Sequence, residues 1–204
     1  MTTTSAAKPA TAPTAKAIDL GRGDTDAKLL AALEIDLAQY ATRPEFITAV
    51  KLTPDLWKLS EEIGMARNQL ALLRGLTGQA YRRGDQDTRL DVEGALGDIV
   101  LSALVGPAGW QLTPLVEFTS KPGECDAYTS DGLRVDAKTI TATKPDWCNI
   151  NEKSHQDKAA DVYVVVRIRS ETLADVYAVP RAFVDGFKVK DGTNGAPYRS
   201  VPLR

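Results

Sequence analysis

The chain has 204 residues, enough for one domain with a real core plus an added element, and 43% of them are hydrophobic, as in an ordinary globular protein. No apolar run approaches the roughly 20 residues that cross a bilayer, and the amino terminus holds no continuous apolar stretch of the secretory kind, so the expectation is a cytoplasmic protein without membrane contact. A formal charge of −2 argues against a nucleic-acid binder that works by bulk charge, and two cysteines with one histidine rule out a zinc-finger set, leaving Cys125 and Cys148 as buried or half-buried thiols.

Residues 1–17 are mainly Ala, Thr, Pro and Lys with nothing large to bury, and the expectation is a disordered tail. Residues 18–84 are expected to form a helical extension serving dimerisation or DNA contact. Within it, Leu29, Leu30, Leu33 and Leu37 mark one helix between Asp24 and Tyr40. A second begins at Thr53 as N-cap, with Pro54 at the first helical position, Asp55 at the positive end of the dipole, and Leu52 placed to staple against Trp57. From Leu56 to Ala80 its apolar residues keep a seven-residue rhythm. Such a seam suits a neighbouring helix of the same chain or a second subunit, and a homodimer is expected from it. Arg67, Arg74, Arg82, Arg83 and Arg89 fall in one stretch and are candidates for phosphate contacts.

Residues 85–204 are expected to form the core. A helix from about Asp91 to Val105 carries a buried stripe and stops at Gly106-Pro107. The pattern then turns strand-like at Leu115–Ser120, Glu124–Tyr128 and Leu133–Thr141, and the turn Ser130-Asp131-Gly132 joins the last two as a hairpin. A short polar helix near Asn151–Ala160 follows, then Val162–Ile168, apolar enough for a central strand covered on both faces, and Ala174–Val179. Beyond Gly186 the chain is rich in Gly and Pro.

The segment that carries chemistry runs from Glu124-Cys125-Asp126 through the turn to Asp136-Ala137-Lys138. Residues two apart in a strand share a face, so Asp136 and Lys138 project together, and Asp126 reaches the same face across the hairpin. Two carboxylates and an ammonium are costly to bury as a structural device, but they suit a hard divalent cation with a lysine beside the reacting phosphate. The same tripeptide occurs as Asp26-Ala27-Lys28, but at a helix start, where residues two apart diverge. The structural alternative is a salt-bridged hairpin in which Lys138 neutralises Asp136.

Asp126, the ten-residue step, and Asp136-Ala137-Lys138 together resemble the PD-(D/E)XK nuclease signature, and the order of acidic helix, hairpin, helix and hydrophobic strand is similar from about Asp91 to Ile168. Cys125 stands where the family's motif has proline, and Glu124 is the alternative acid on the face of Asp126. The resemblance implies a restriction-endonuclease-like α/β fold, a mixed β-sheet flanked by helices. It implies Mg²⁺, with Mn²⁺ as substitute, held by Asp126, Asp136 and the Ala137 carbonyl, with Glu93 matching the helix-borne glutamate directly or through water. Lys138 would orient or deprotonate the attacking water. His155, Gln156, Lys158, Asn149, Arg82 and Arg83 are auxiliary or DNA-contacting candidates, His155 being read as a side chain on a polar, solvated helix. The implied activity is hydrolysis of DNA phosphodiester bonds, by an endonuclease of restriction, structure-specific or mobile-element type. A non-catalytic nucleic-acid-binding or assembly module on the same fold is the alternative.

Overall fold

The computed structural model describes residues 17–19, 43–73, 88–106, 109–116, 124–141, 147–192 and 195–203. Residues 1–16 of the expected tail, the Asp24–Tyr40 helix with its Asp26-Ala27-Lys28 tripeptide, and Arg74, Arg82 and Arg83 lie outside them. So do Thr77 and Ala80, the end of the apolar rhythm.

In chain order the elements are β1 (Ile18–Asp19), β2 (Glu45–Lys51), α1 (Pro54–Leu73), α2 (Thr88–Val105), β3 (Gln111–Leu112), β4 (Ala127–Tyr128) and β5 (Arg134–Thr141). There follow β6 (Trp147–Asn151), α3 (Glu152–Lys158), β7 (Val162–Ser170), β8 (Leu173–Pro180), α4 (Arg181–Asp185), β9 (Val189–Lys190) and β10 (Tyr198–Pro202). Seven strands form a mixed sheet in the order β1-β2-β8-β7-β5-β4-β3, and a second sheet has the order β6-β10-β9. In the large sheet β5 and β7 are parallel, while β4 runs antiparallel to β5 and β8 antiparallel to β7. The parallel step from β5 to β7 needs a crossover, and β6 with α3 supplies it. Among the described residues no helix is long and apolar enough to cross a membrane.

β7 is the centre of the core. Its residues from Val162 to Ile168 are all buried, Arg167 among them, as a mostly apolar run requires of a strand covered on both faces. On one face Val135, Ala137, Val164, Val166 and Val176 pack under Leu96, Val100, Leu101 and Leu104 of α2. On the other, Tyr163, Val165, Tyr177 and Val179 meet Cys148 and Ile150 of β6, Val201 of β10 and Val184 of α4. Both cysteines are free and buried, and burial pushes the Cys125 thiol up to about 11 and that of Cys148 to about 12.

Three expectations change. Residues 18–84 are not helical throughout, because β1 and β2 join the main sheet, β2 pairing antiparallel with β8. A short strand precedes the hairpin at Gln111–Leu112, and residues 115–116 are not in a strand, while residues 117–120 of the strand expected there lie outside the described residues. The apolar rhythm of α1 coincides only in part with its buried face, which takes Leu70 from it. Leu59 and Leu73 are exposed, whereas Ser60, Gly64 and Ala71 are buried, and α1 packs on α2 so closely that a Cβ at Gly64 would stand 2.9 Å from the Val92 amide nitrogen. Thr53 does cap α1, accepting from the Leu56 amide at 3.3 Å, and Leu52 and Trp57 pack in one cluster.

Candidate active site

The β4–β5 hairpin closes through a tight turn. Gly132 has φ +87, where a side chain would be strained, and its amide bonds the Thr129 carbonyl at 3.0 Å. Ala127 then pairs with Val135, which sets Asp126 beside the middle of β5. The strand expected from Glu124 is regular only over Ala127–Tyr128, although Asp126 keeps main-chain bonds to both sides, its amide donating to the Val135 carbonyl at 2.9 Å and its carbonyl accepting from the Thr113 amide at 3.0 Å. Asp126 Oδ2 accepts the Ala137 amide at 2.6 Å. Asp126, rather than Glu124, thereby becomes the acid tied to β5.

Asp136 and Lys138 share the face of β5 that looks toward Tyr163, the register partner of Asp136. Lys138 Nζ donates to Asp136 Oδ2, lies 3.3 Å from the Ala137 carbonyl oxygen, and sits 5.9 Å from the centre of the Tyr163 ring. Asp136 is fully buried and Lys138 is 21% exposed.

Lys158 completes the group from the last turn of α3. Asn151 starts this helix, its side chain accepting from the Ser154 amide at 3.0 Å, and Ala159 ends it in the left-handed region at φ 47. The chain leaving Ala159 is clamped to the start of β5. Asp161 accepts the Arg134 amide at 2.9 Å and both arms of the Arg134 guanidinium at 3.0 Å, while its own amide donates to the Arg134 carbonyl at 2.8 Å. This clamp directs Lys158 Nζ between the two acids, donating to Asp126 Oδ1 at 3.3 Å and to Asp136 Oδ1.

The charges act on one another strongly. Burial pushes the Asp126 carboxyl up to about 7, and the neighbouring charges of Asp136 and Asp98 push the same way, against the pull of Lys158 and Lys138. Burial also works against ionised Asp136, but the ammonium groups of Lys138 and Lys158 outweigh it and hold that carboxyl below the usual range. Lys158 is partly buried, which lowers its basicity, yet Asp126 and Asp136 more than reverse this.

Asp98 is the acid that sequence reasoning missed. It lies on α2, one residue after Gly97, and its carboxylate pairs with Arg67 of α1 at 2.7 Å. Burial raises its pKa and Arg67 opposes that, while Lys158 and Asp136 both act on it electrostatically. Arg67 is held in place by a second bond, from Nε to the Leu115 carbonyl at 2.6 Å. The available signal was the glycine: α2 meets β5 at Gly97, where a Cβ would fall 2.0 Å from Thr139 Oγ1.

Glu93 is not brought to this group. It pairs with Arg89 at 2.7 Å and lines, with Trp57, Thr141 and Arg169, an open groove of about 1010 Å³. Thr141 is five residues beyond Asp136, about 16 Å along the strand. His155 is likewise corrected. It is fully buried, its Nδ1 2.5 Å from the Tyr163 hydroxyl and its Nε2 2.8 Å from Asp185, because it occupies the inward position of α3. A solvated, DNA-contacting role is closed to it. Gln156 is exposed and donates to Glu152 at 2.9 Å, and Asn149 is exposed on the outer face of β6.

Among the described residues, no three His, Cys, Asp or Glu side chains are arranged to hold a metal ion. The donors that do converge are two carboxylates and the Ala137 carbonyl, all hard oxygens, with the Lys158 ammonium standing as a cation between Asp126 and Asp136. That set fits magnesium, which binds through one or two carboxylates and keeps several waters. Compared with known proteins, the chain matches no protein-family model and no curated protein.

Proposed function

We propose that the protein is a magnesium-dependent DNA endonuclease of the PD-(D/E)XK type. The observation that carries the reading is the meeting of Asp126, Asp136 and Lys138 on one side of the β4–β5 hairpin, with both acids aimed at a single cation. The order α2, β4–β5 hairpin, α3, β7 supports it, and so does the parallel pairing of β5 with β7 around the crossover, which leaves the site at the start of both strands. On this reading the sheet is the restriction-endonuclease-like core.

In the mechanism Asp126 and Asp136 would hold Mg²⁺, with the Ala137 carbonyl as third oxygen, or Mn²⁺ in its place. The metal's contribution would be to polarise the phosphate and to lower the pKa of an attacking water. Lys138 would orient that water and meet the negative charge on the phosphorane oxygens, and its own position is fixed by Asp136 and the face of Tyr163. The peptide between the acids serves both, since its amide fixes Asp126 and its carbonyl faces the lysine. Burial of Asp136 keeps bulk water from competing for these oxygens.

One observation favours a second reading, a non-catalytic nucleic-acid-binding or assembly module. Lys138 and Lys158 between them already neutralise Asp136 and Asp126. Plasmid cleavage separates the two. The wild type is expected to cut in Mg²⁺ or Mn²⁺ and not in EDTA. Asp136→Asn and Lys138→Ala should each lose at least a hundredfold, about 2.7 kcal/mol of barrier, while keeping the wild-type circular dichroism. Activity within tenfold of wild type for both variants removes the nuclease assignment.

A further inference from the structure

Each acid of the site has one oxygen already committed to β5. Asp126 Oδ2 holds the Ala137 amide, and Asp136 Oδ2 holds Lys138. The remaining oxygen of each, Oδ1 in both cases, is given to one and the same group, the Lys158 ammonium. A divalent cation bridging the two acids would need those Oδ1 atoms. An ammonium and a divalent ion of like sign do not share them, since two such charges within about 4 Å repel strongly in a partly buried site. Lys158 has somewhere else to go: it ends its helix, its side chain is 25% exposed, and four flexible methylenes carry the charge.

We infer that Lys158 is the resident counter-ion of this site, occupying the cation position between Asp126 and Asp136, so that divalent-metal binding and withdrawal of Lys158 are one event. The inference rests on the metal-dependent reading above and adds that the site is built to be filled by the protein itself when metal is absent. Lys158 is therefore a positioning residue for the empty state and a competitor of the metal. It offsets the repulsion between a buried and a half-buried carboxylate, and it sets the metal affinity lower than the oxygens alone would give. The device has its anchor in the Arg134–Asp161 clamp, which fixes where α3 ends and hence where the lysine reaches.

The test is Mn²⁺ binding without DNA, followed by electron paramagnetic resonance for wild type, Lys158→Met and Lys158→Arg. Lys158→Met is expected to bind Mn²⁺ at least tenfold more tightly than wild type, and Lys158→Arg to stay near the wild-type value. Equal or weaker binding by folded Lys158→Met, or no binding by either protein, overturns the inference. Should Lys158→Met fail to fold, Lys158→Gln replaces it, since an amide can still bond one carboxylate without carrying charge. The wild type gives a measurement that needs no variant. On Mg²⁺ titration the Lys158 Nζ resonance should shift and its protons exchange faster, and an unmoved signal at saturating Mg²⁺ counts against the inference. Plasmid cleavage is read separately. A wild type that cuts in Mg²⁺ beside a Lys158→Met of unchanged affinity sinks the competition alone. Tighter Mn²⁺ binding in Lys158→Met beside a wild type that never cuts sinks the nuclease reading alone.

Discussion

Glu93 and Asp98 are five residues apart on α2, which places them about 140° apart around the axis and about 7.5 Å apart along it. One helix cannot offer both to the same site. The family resemblance points to Glu93, which also borders the apolar stripe and has Gly94 and Gly97 nearby. The pattern does not say where along β5 the helix crosses. The crossing at Gly97 and Thr139 goes with a Glu93 that lines the open groove beside Thr141, while Asp98 pairs with Arg67 and lies within electrostatic reach of Asp136 and Lys158. The expected outcome follows from that geometry. Glu93→Gln should leave cleavage within about threefold of wild type, while Asp98→Asn should lower it at least tenfold, about 1.4 kcal/mol. Kinetics on both variants, with circular dichroism to confirm folding, decide the matter. A loss in Glu93→Gln as large as in Asp98→Asn would show that the groove, and not the hairpin, is where the chemistry occurs. His155 illustrates the same gap between pattern and place. Glu152, Lys153, Gln156, Asp157 and Lys158 make its helix look fully solvated, yet one inward position suffices for a buried imidazole if Tyr163 and Asp185 satisfy both nitrogens.

At the scale of elements, legibility followed the range of the contacts. Thr53-Pro54, the Ser130-Asp131-Gly132 turn and the apolar run of β7 are local signals, and each marks the element it announces. β2 was not legible. Glu45–Lys51 follows a proline, does not alternate cleanly, and joins the main sheet through β8, more than 120 residues later. β6 and β10 were missed for a related reason: Cys148 and Ile150 are the only buried positions of β6, and they acquire meaning only when β10 lies beside them. The second sheet is also tied down by charge. Arg199 of β10 grips Glu152 at the start of α3 with two bonds, of 2.7 and 3.0 Å, and reaches the Phe187 carbonyl at 2.6 Å beyond α4. The guanidinium bonds hold the Glu152 carboxyl down at about 2, from an ordinary 4.5, despite a small opposing effect of burial. A depressed acid stabilises the fold above its unfolded value and loses that contribution as pH falls through the folded one. The wild type should therefore exceed Glu152→Gln by about 1 to 2 kcal/mol at neutral pH, a discount on the full shift because both side chains keep some solvent contact. The difference should shrink between about pH 4.5 and pH 2 and vanish below. Urea melts at pH 7, 4 and 2 measure it, and a constant difference across the three would disprove the linkage.

At the scale of the whole molecule, the nuclease proposal requires a way for a chain with one candidate site to cut two strands. Two copies about a two-fold axis matching the DNA is the simplest arrangement, and the homodimer expected from the sequence was to use the Leu56–Ala80 rhythm. Within the described part of α1 that role divides between two faces. Ser60, Gly64, Leu70 and Ala71 are buried, and Gly64 lets the α2 backbone approach too closely for a second subunit to intervene. Leu59, Met65 and Leu73 stand exposed on the outer side. Charge placed on the inner face should therefore destroy the fold and not merely a dimer. Ile63→Glu with Leu70→Glu removes buried apolar area and introduces a carboxylate without a partner, so the double variant is expected to unfold, a cost of several kcal/mol against a total near 5 to 15. Leu59→Glu with Leu73→Glu should keep the wild-type melting temperature if measured well below any dimer dissociation constant. Light scattering at micromolar concentration then addresses the assembly: on the homodimer proposal the wild type runs at twice the chain mass and the outer-face variant at once. A wild-type monomer that still linearises plasmid in a single encounter would rule out the paired-site arrangement. A dimer indifferent to the outer-face charges would move the interface off α1 altogether.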